Sequence, residues 1–225
     1  MTRDDAVAHV KRRLGFFTKR DNEIVIELQT MQRNLENGIL IPQQTGGIFL
    51  PWFLVSEMST HTITSGEERI VIPEDMVNEL EEGSLWLFEA TAEPEDQWKP
   101  LSKDDLDYLK AQLPGEGEPK AYATSGFYFR LKPTPDAASA TSKVLKMMYR
   151  ERDAVLTTPG SENKWLLHAP LLLVGEAGLA IASSLRDTAA VTVFNSLRQE
   201  EAKRLFLATE MRLHVNRRYV MGGED

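Results

Sequence analysis

A chain of 225 residues with 42% hydrophobic side chains is long enough for one sizeable domain or two small ones and can build a core. It has no cysteine, which excludes disulfide frameworks and thiolate metal sites and fits synthesis in a reducing cytoplasm. Its net charge of −8 is unevenly placed: residues 1–65 hold seven basic and seven acidic side chains, 66–118 four and sixteen, and 119–225 fifteen and eleven. The middle block repels nucleic acid, whereas the C-terminal part tolerates a polyanion or an acidic partner. A solvated acidic surface that maintains solubility is the plainer account.

The opening Met-Thr-Arg-Asp-Asp carries acids and lacks the apolar core of a signal peptide. Thr2 followed by Asp4 and Asp5 reads as a helix N-cap. Ala6, Val7, Val10 and Leu14 have helical spacing, and Gly15 ends the helix. A second helix is expected over 22–37, with Ile24, Leu28, Met31 and Leu35 on one face and Asn37-Gly38 as its stop. The period then becomes alternating. Strands are expected over 49–55, 59–64, 69–72 and 83–90, with a turn at Ser65-Gly66 and a turn or short helix from Pro73. Ser102-Lys-Asp-Asp reads as the cap of a short helix through Leu113, and Pro114-Gly115-Glu116-Gly117 as a loop. Tyr122-Ala123, 127–131 and 143–149 complete the strands, with Ser125-Gly126 as a hairpin turn.

After Asn163 the helical period returns. The most apolar stretch, 165–182, is interrupted by His168, Pro170, Gly175, Glu176 and Gly178. A membrane span needs about 20 predominantly apolar residues, so a buried helix beginning near Pro170 is the reading. Asp187 caps a last helix carrying Ala190, Phe194, Leu197, Leu205, Ala208, Met211 and Val215 at helical spacing, a stripe that Glu201 breaks. The fold class expected is α+β: an antiparallel helical bundle formed by the N- and C-terminal helices, with a β-rich insertion between them. The segments are 1–40 for the first helices, 41–155 for the insertion, 156–218 for the last helices and 219–225 for a flexible tail.

No catalytic or metal motif emerges. His9, His61, His168 and His214 lack the i, i+4 spacing of a zinc-binding helix. Gly115-Glu116-Gly117 follows a helix and leads to proline, so it fails as a dinucleotide loop; phosphate-loop and nucleophile-elbow patterns do not occur. Glu74, Asp75, Glu79, Glu81 and Glu82 could supply a carboxylate pair for a cell-wall hydrolase, but a dense exposed run lacks the apolar cleft that separates two pKa values. Lys203, Arg204, Arg212, Arg217 and Arg218 either complement a helix dipole or form a docking helix for an acidic surface.

Several short segments, in their order and spacing along nearly the whole chain, resemble the head-to-tail adaptor (connector) proteins of short-tailed bacteriophages. They are Leu35-Glu36, Leu50-Pro51-Trp52-Phe53-Leu54, Ile70-Val71-Ile72-Pro73-Glu74-Asp75-Met76, 117–136, Tyr149-Arg150 and 165–173. The resemblance implies a structural virion protein of the neck, not an enzyme, without cofactor, metal or membrane. It implies a ring of twelve subunits beneath the portal protein that extends the DNA channel and anchors tail nozzle and tail fibre proteins. A negatively charged lining would let genomic DNA slide, since phosphate neutralisation would hold it. In such proteins the C-terminal segment resembles an arm reaching into the portal. This makes Arg212, Arg217, Arg218, Tyr219 and Met221 the portal-docking candidates. The alternatives are another neck or tail-completion protein, and the hydrolase that would use Glu74, Glu79 or Glu82.

Overall fold

The computed structural model describes residues 1–15, 20–40, 48–49, 51–80, 83–89 and 99–221, with side chains described for all of these but 39–40, 48–49 and 213–221. Its helices are α1 (Arg3–Leu14), α2 (Asp21–Glu36), α3 (Leu106–Gln112), α4 (Ala137–Ser142), α5 (Lys164–His168), α6 (Pro170–Ser184) and α7 (Thr188–Met221). Strands β1 (Ile39–Leu40), β2 (Ile48–Phe49), β3 (Ser59–Thr62), β4 (Arg69–Val71), β5 (Met76–Asn78), β6 (Leu85–Glu89) and β7 (Lys99–Pro100) lie in the first half. They are followed by β8 (Ser102–Lys103), β9 (Glu116–Gly117), β10 (Ala121–Ser125), β11 (Tyr128–Lys132), β12 (Thr134–Pro135), β13 (Lys143–Met147) and β14 (Arg150–Glu151). The fold class is α+β, and the chain divides into a unit of Met1–Leu54 with Arg152–Asp225 and a unit of Val55–Glu151.

In the helical unit, local chemistry sets the ends. Thr2 accepts a hydrogen bond from the Asp5 backbone N–H while Asp5 accepts one from that of Thr2, and Gly15 closes α1 with a left-handed φ of 68°. Pro170 opens α6, where its missing N–H costs nothing, and Asp187 caps α7 by accepting from the Ala190 N–H at 3.0 Å. The hydrophobic core gathers Val7 and Val10 of α1, Ile24 and Leu28 of α2, Trp165 of α5 and Phe194 of α7 around α6. Leu172, Leu173, Val174, Ala177, Ile181 and Ala182 of α6 are all buried, as expected of a helix apolar around its circumference. Gly175 and Gly178, which interrupt the apolar run in sequence, let α7 come close. A Cβ on Gly175 would lie 3.1 Å from the Arg198 backbone nitrogen, and one on Gly178 only 2.3 Å from a Phe194 ring carbon.

The other unit is built on two four-stranded sheets, ordered β4-β11-β10-β8 and β3-β13-β6-β7. Residues of both, Leu85, Leu87, Tyr122, Phe129, Leu131, Leu145 and Met147, share one core, in which Tyr122 and Phe129 meet edge to face at 5.5 Å. Helix α3 covers Ala121 and Ala123 of β10 with Leu109.

Several expectations are corrected. Residues 52–54, expected inside a strand, form a 3-10 turn, closed by the Leu54 N–H on the Pro51 carbonyl at 3.2 Å; proline presets φ for such a turn and cannot donate to a ladder. Ser102 is not a helix cap. It lies in β8, parallel to β10, and Asp105 caps α3 by accepting from the Asp107 and Tyr108 N–H groups. Phe127 sits in the hairpin turn, 83% exposed, and the strand begins at Tyr128. Beyond Pro73 the expected turn is present, and it leads into β5, which pairs with β14. Helix α7 continues through Tyr219 to Met221, past the expected start of a tail, and 222–225 lie outside the described residues.

Candidate functional site

The portal-docking candidates all fall on the last turns of α7. Arg212 is described in full; Arg217, Arg218, Tyr219 and Met221 continue the helical backbone, and their side chains lie outside the described ones. Upstream, the buried face of α7 carries Ala190, Phe194, Glu201, Leu205 and Thr209. Met211, expected on that face, is instead 62% exposed, and Leu207 one turn earlier is 59% exposed. Residues 207 and 211 are i, i+4 neighbours, so they present adjacent apolar side chains away from the core. Lys203, Arg204 and Arg212 are exposed along the same stretch.

Glu201, which breaks the apolar stripe, is buried and paired with Arg204. Arg204 also donates to the His168 carbonyl at 3.1 Å and so satisfies the C-terminal end of α5. The Arg212 guanidinium lies 3.4 Å from the centre of the Trp52 ring. Trp52 in turn meets the His168 imidazole at 4.8 Å, and Phe53 stacks on that imidazole at 5.2 Å and meets Trp165 edge on at 5.1 Å. Burial, and next the Arg212 cation, push the imidazole below its ordinary 6.5; Asp153 opposes this shift and Lys164 adds to it. The sequence singles out Arg212 by charge, but no local spacing signals that residues 52, 168 and 212 meet.

A second polar cluster escaped the sequence reading because Gln32 and Glu36 look like solvent-facing positions on α2. Both are buried. Glu36 accepts from Gln32 Nε2 at 2.9 Å, from the Asp153 backbone N–H at 3.2 Å and from Arg33 at 2.5 Å. Asn163 donates to Gln32 Oε1 at 3.1 Å, and Asp153 Oδ2 accepts from the Trp165 N–H at 3.0 Å. This network ties the chain where it re-enters the helical unit to the end of α2.

The acidic residues considered for hydrolysis lie on either side of β5. Glu74 is exposed, and Glu81 and Glu82 lie outside the described residues. Both Glu79 oxygens are engaged, accepting from Thr124 at 2.6 Å, Tyr122 at 2.7 Å and Lys103 at 2.9 Å. Burial pulls the Glu79 carboxyl up, and these bonds outweigh it and hold the group below its ordinary value. Burial, with the bond to Glu79, raises the Tyr122 hydroxyl. Of the histidines, His9 accepts from Arg13 at 2.8 Å and His61 bonds Ser59 at 3.1 Å, while the His214 side chain is not described. No group of three or more metal-ligating side chains is found among the described residues, and no described helix is long and apolar enough to cross a membrane.

Among the exposed apolar residues, Leu207 and Met211 stand side by side on α7. The class expected from the sequence is a phage head-to-tail adaptor. The model of the SU10 adaptor protein family matches residues 1–220, and the chain belongs to that family. No curated protein matches the chain. The family assigns it a structural role as a phage adaptor.

Proposed function

We propose that the protein forms a ring beneath the portal, extends the channel through which genomic DNA passes, and anchors tail nozzle and fibre proteins. Its docking element is the C-terminal end of α7, with Arg212, Arg217, Arg218, Tyr219 and Met221 meeting the portal. The observation that carries this reading is the exposed pair Leu207 and Met211 on a single helix of 34 residues, about 51 Å at 1.5 Å per residue. Adjacent exposed apolar side chains flanked by cations suit a helix laid into an apolar groove with an acidic rim. The ring is of twelve copies, located in the virion neck, and its role is structural rather than catalytic.

The β-rich unit is the platform for nozzle and fibre proteins. Its sheets end in short edge strands, β4 and β8 in one and β3 and β7 in the other, which offer backbone groups to a partner. The test is deletion of residues 212–225 followed by sedimentation with the cognate portal rings. Loss of co-sedimentation is expected. Undiminished co-sedimentation overturns the docking assignment.

A further inference from the structure

The last α7 residue in the hydrophobic core of the helical unit is Leu205. Past it, two contacts of the helix converge on one place. The Thr209 hydroxyl, almost fully buried, accepts from the Trp52 backbone N–H at 3.4 Å. One turn on, Arg212 stacks over the Trp52 indole at 3.4 Å. Residues 205, 209 and 212 follow the helical period, so one face of α7 passes from core packing to the Trp52 contact without a break. Trp52 itself is braced. It belongs to the 3-10 turn after Pro51, its ring meets Phe53 edge to face at 5.8 Å and His168 at 4.8 Å, and Phe53 and Leu54 beside it are buried in the core.

From this geometry we infer that Trp52 is a positioning residue for the docking end of α7. It clasps the helix at Thr209 and Arg212 and so fixes the direction in which the following residues leave the core. The inference rests on the proposed docking role of that end. Clasping and docking are compatible at Arg212, because stacking uses the face of the guanidinium while its N–H donors point outward in its plane, where an acidic partner is recognised. The clasp also answers a physical need. A helix end that extends beyond its core frays, and a fraying end meets its partner only in the fraction of molecules where it is ordered.

The test uses the full chain with Trp52→Leu, Trp52→Tyr and Arg212→Gln. Amide hydrogen exchange of the free protein over residues 206–221 is read beside that of α1, α2 and α6. Loss of the stacked pair is expected to speed exchange over 206–221 about tenfold in Trp52→Leu and Arg212→Gln, leaving the other helices unchanged, with Trp52→Tyr near the parent. Co-sedimentation with portal rings is expected to weaken in Trp52→Leu and to recover in Trp52→Tyr. Unchanged exchange over 206–221 in both Trp52→Leu and Arg212→Gln overturns the clasp. If Trp52→Leu loosens the whole helical unit, Arg212→Gln decides on the same readout. Faster exchange with undiminished portal binding, in a chain whose 212–225 deletion abolishes binding, overturns the positioning role. Undiminished binding after that deletion instead strikes the docking reading itself.

Discussion

Gly178 tests the packing that places α7. A Cβ at this position would lie 2.3, 2.4 and 2.6 Å from three carbons of the Phe194 ring. Carbon atoms in contact prefer about 3.5–4.0 Å, so the ring must retreat by more than about 1 Å. Phe194 is fully buried and has no solvent to move into. Overpacking of this kind costs about 1–3 kcal/mol, and the better helix propensity of alanine returns about 1 kcal/mol. Gly178→Ala is therefore expected to destabilise the helical unit by up to about 2 kcal/mol, where the same change at an open helical site would stabilise by about 1 kcal/mol. Shortening the ring by Phe194→Leu makes room for the methyl group. The double variant should then lose less than the sum of the two single losses, with a coupling of at least about 0.5 kcal/mol. Urea unfolding followed by circular dichroism reads both effects as midpoint shifts at constant slope. A Gly178→Ala protein stabilised by the about 1 kcal/mol expected at an open helical site, or strictly additive losses, would refute the close approach of α6 and α7.

Three further predictions concern polar groups. Glu36→Ala leaves Gln32, Arg33 and the Asp153 N–H without their shared acceptor and should lower stability by about 2–4 kcal/mol; a loss under about 1 kcal/mol in urea unfolding would contradict the network. Glu68 bonds Lys132 at 2.5 Å and Arg130 at 2.9 Å, and these bonds, that of Lys132 foremost, hold its carboxyl below the ordinary 4.5. Its contribution is present above pH 4.5 and is lost as pH falls through its lower folded value, so Glu68→Gln should flatten the acid limb of stability in the β-rich unit. His168 is depressed by burial and by Arg212, so the neutral ring belongs to the folded state; its contribution is complete above 6.5 and is lost as pH falls through its folded value. His168→Phe should remove that pH dependence from exchange over 206–221, and an unchanged profile would show that another group titrates there.

What was legible in the sequence was local. Thr2 with Asp5, Gly15, Pro170 and Asp187 each act on backbone groups within a few residues, and the helices begin or end where these residues stand. The apolar run from Pro170 to 182 was legible as a buried helix because its period leaves no polar face. Pro51 turns an aromatic segment of strand-like composition into a 3-10 turn, and that turn brings Trp52 to α7. Ser102 and Asp105 are both competent caps, and pairing of β8 with β10 decides between them. Burial of Gln32 and Glu36 depends on Asp153 and Asn163, which lie more than a hundred residues away, so no window along the chain contains the pattern. The exposure of Met211 has a similar origin. Helical spacing assigns it to the apolar stripe, whereas Leu205 is the last α7 residue among the buried core residues described.

Imaging the full chain mixed with its cognate portal rings by electron cryomicroscopy tests the central claim most directly, because an adaptor that stays monomeric alone can still assemble on a template. A ring of this chain beneath the portal is expected, with the end of α7, from Arg212 to Met221, seated against portal density. A portal that remains bare, or a bound ring whose α7 ends point away from it, would contradict the account.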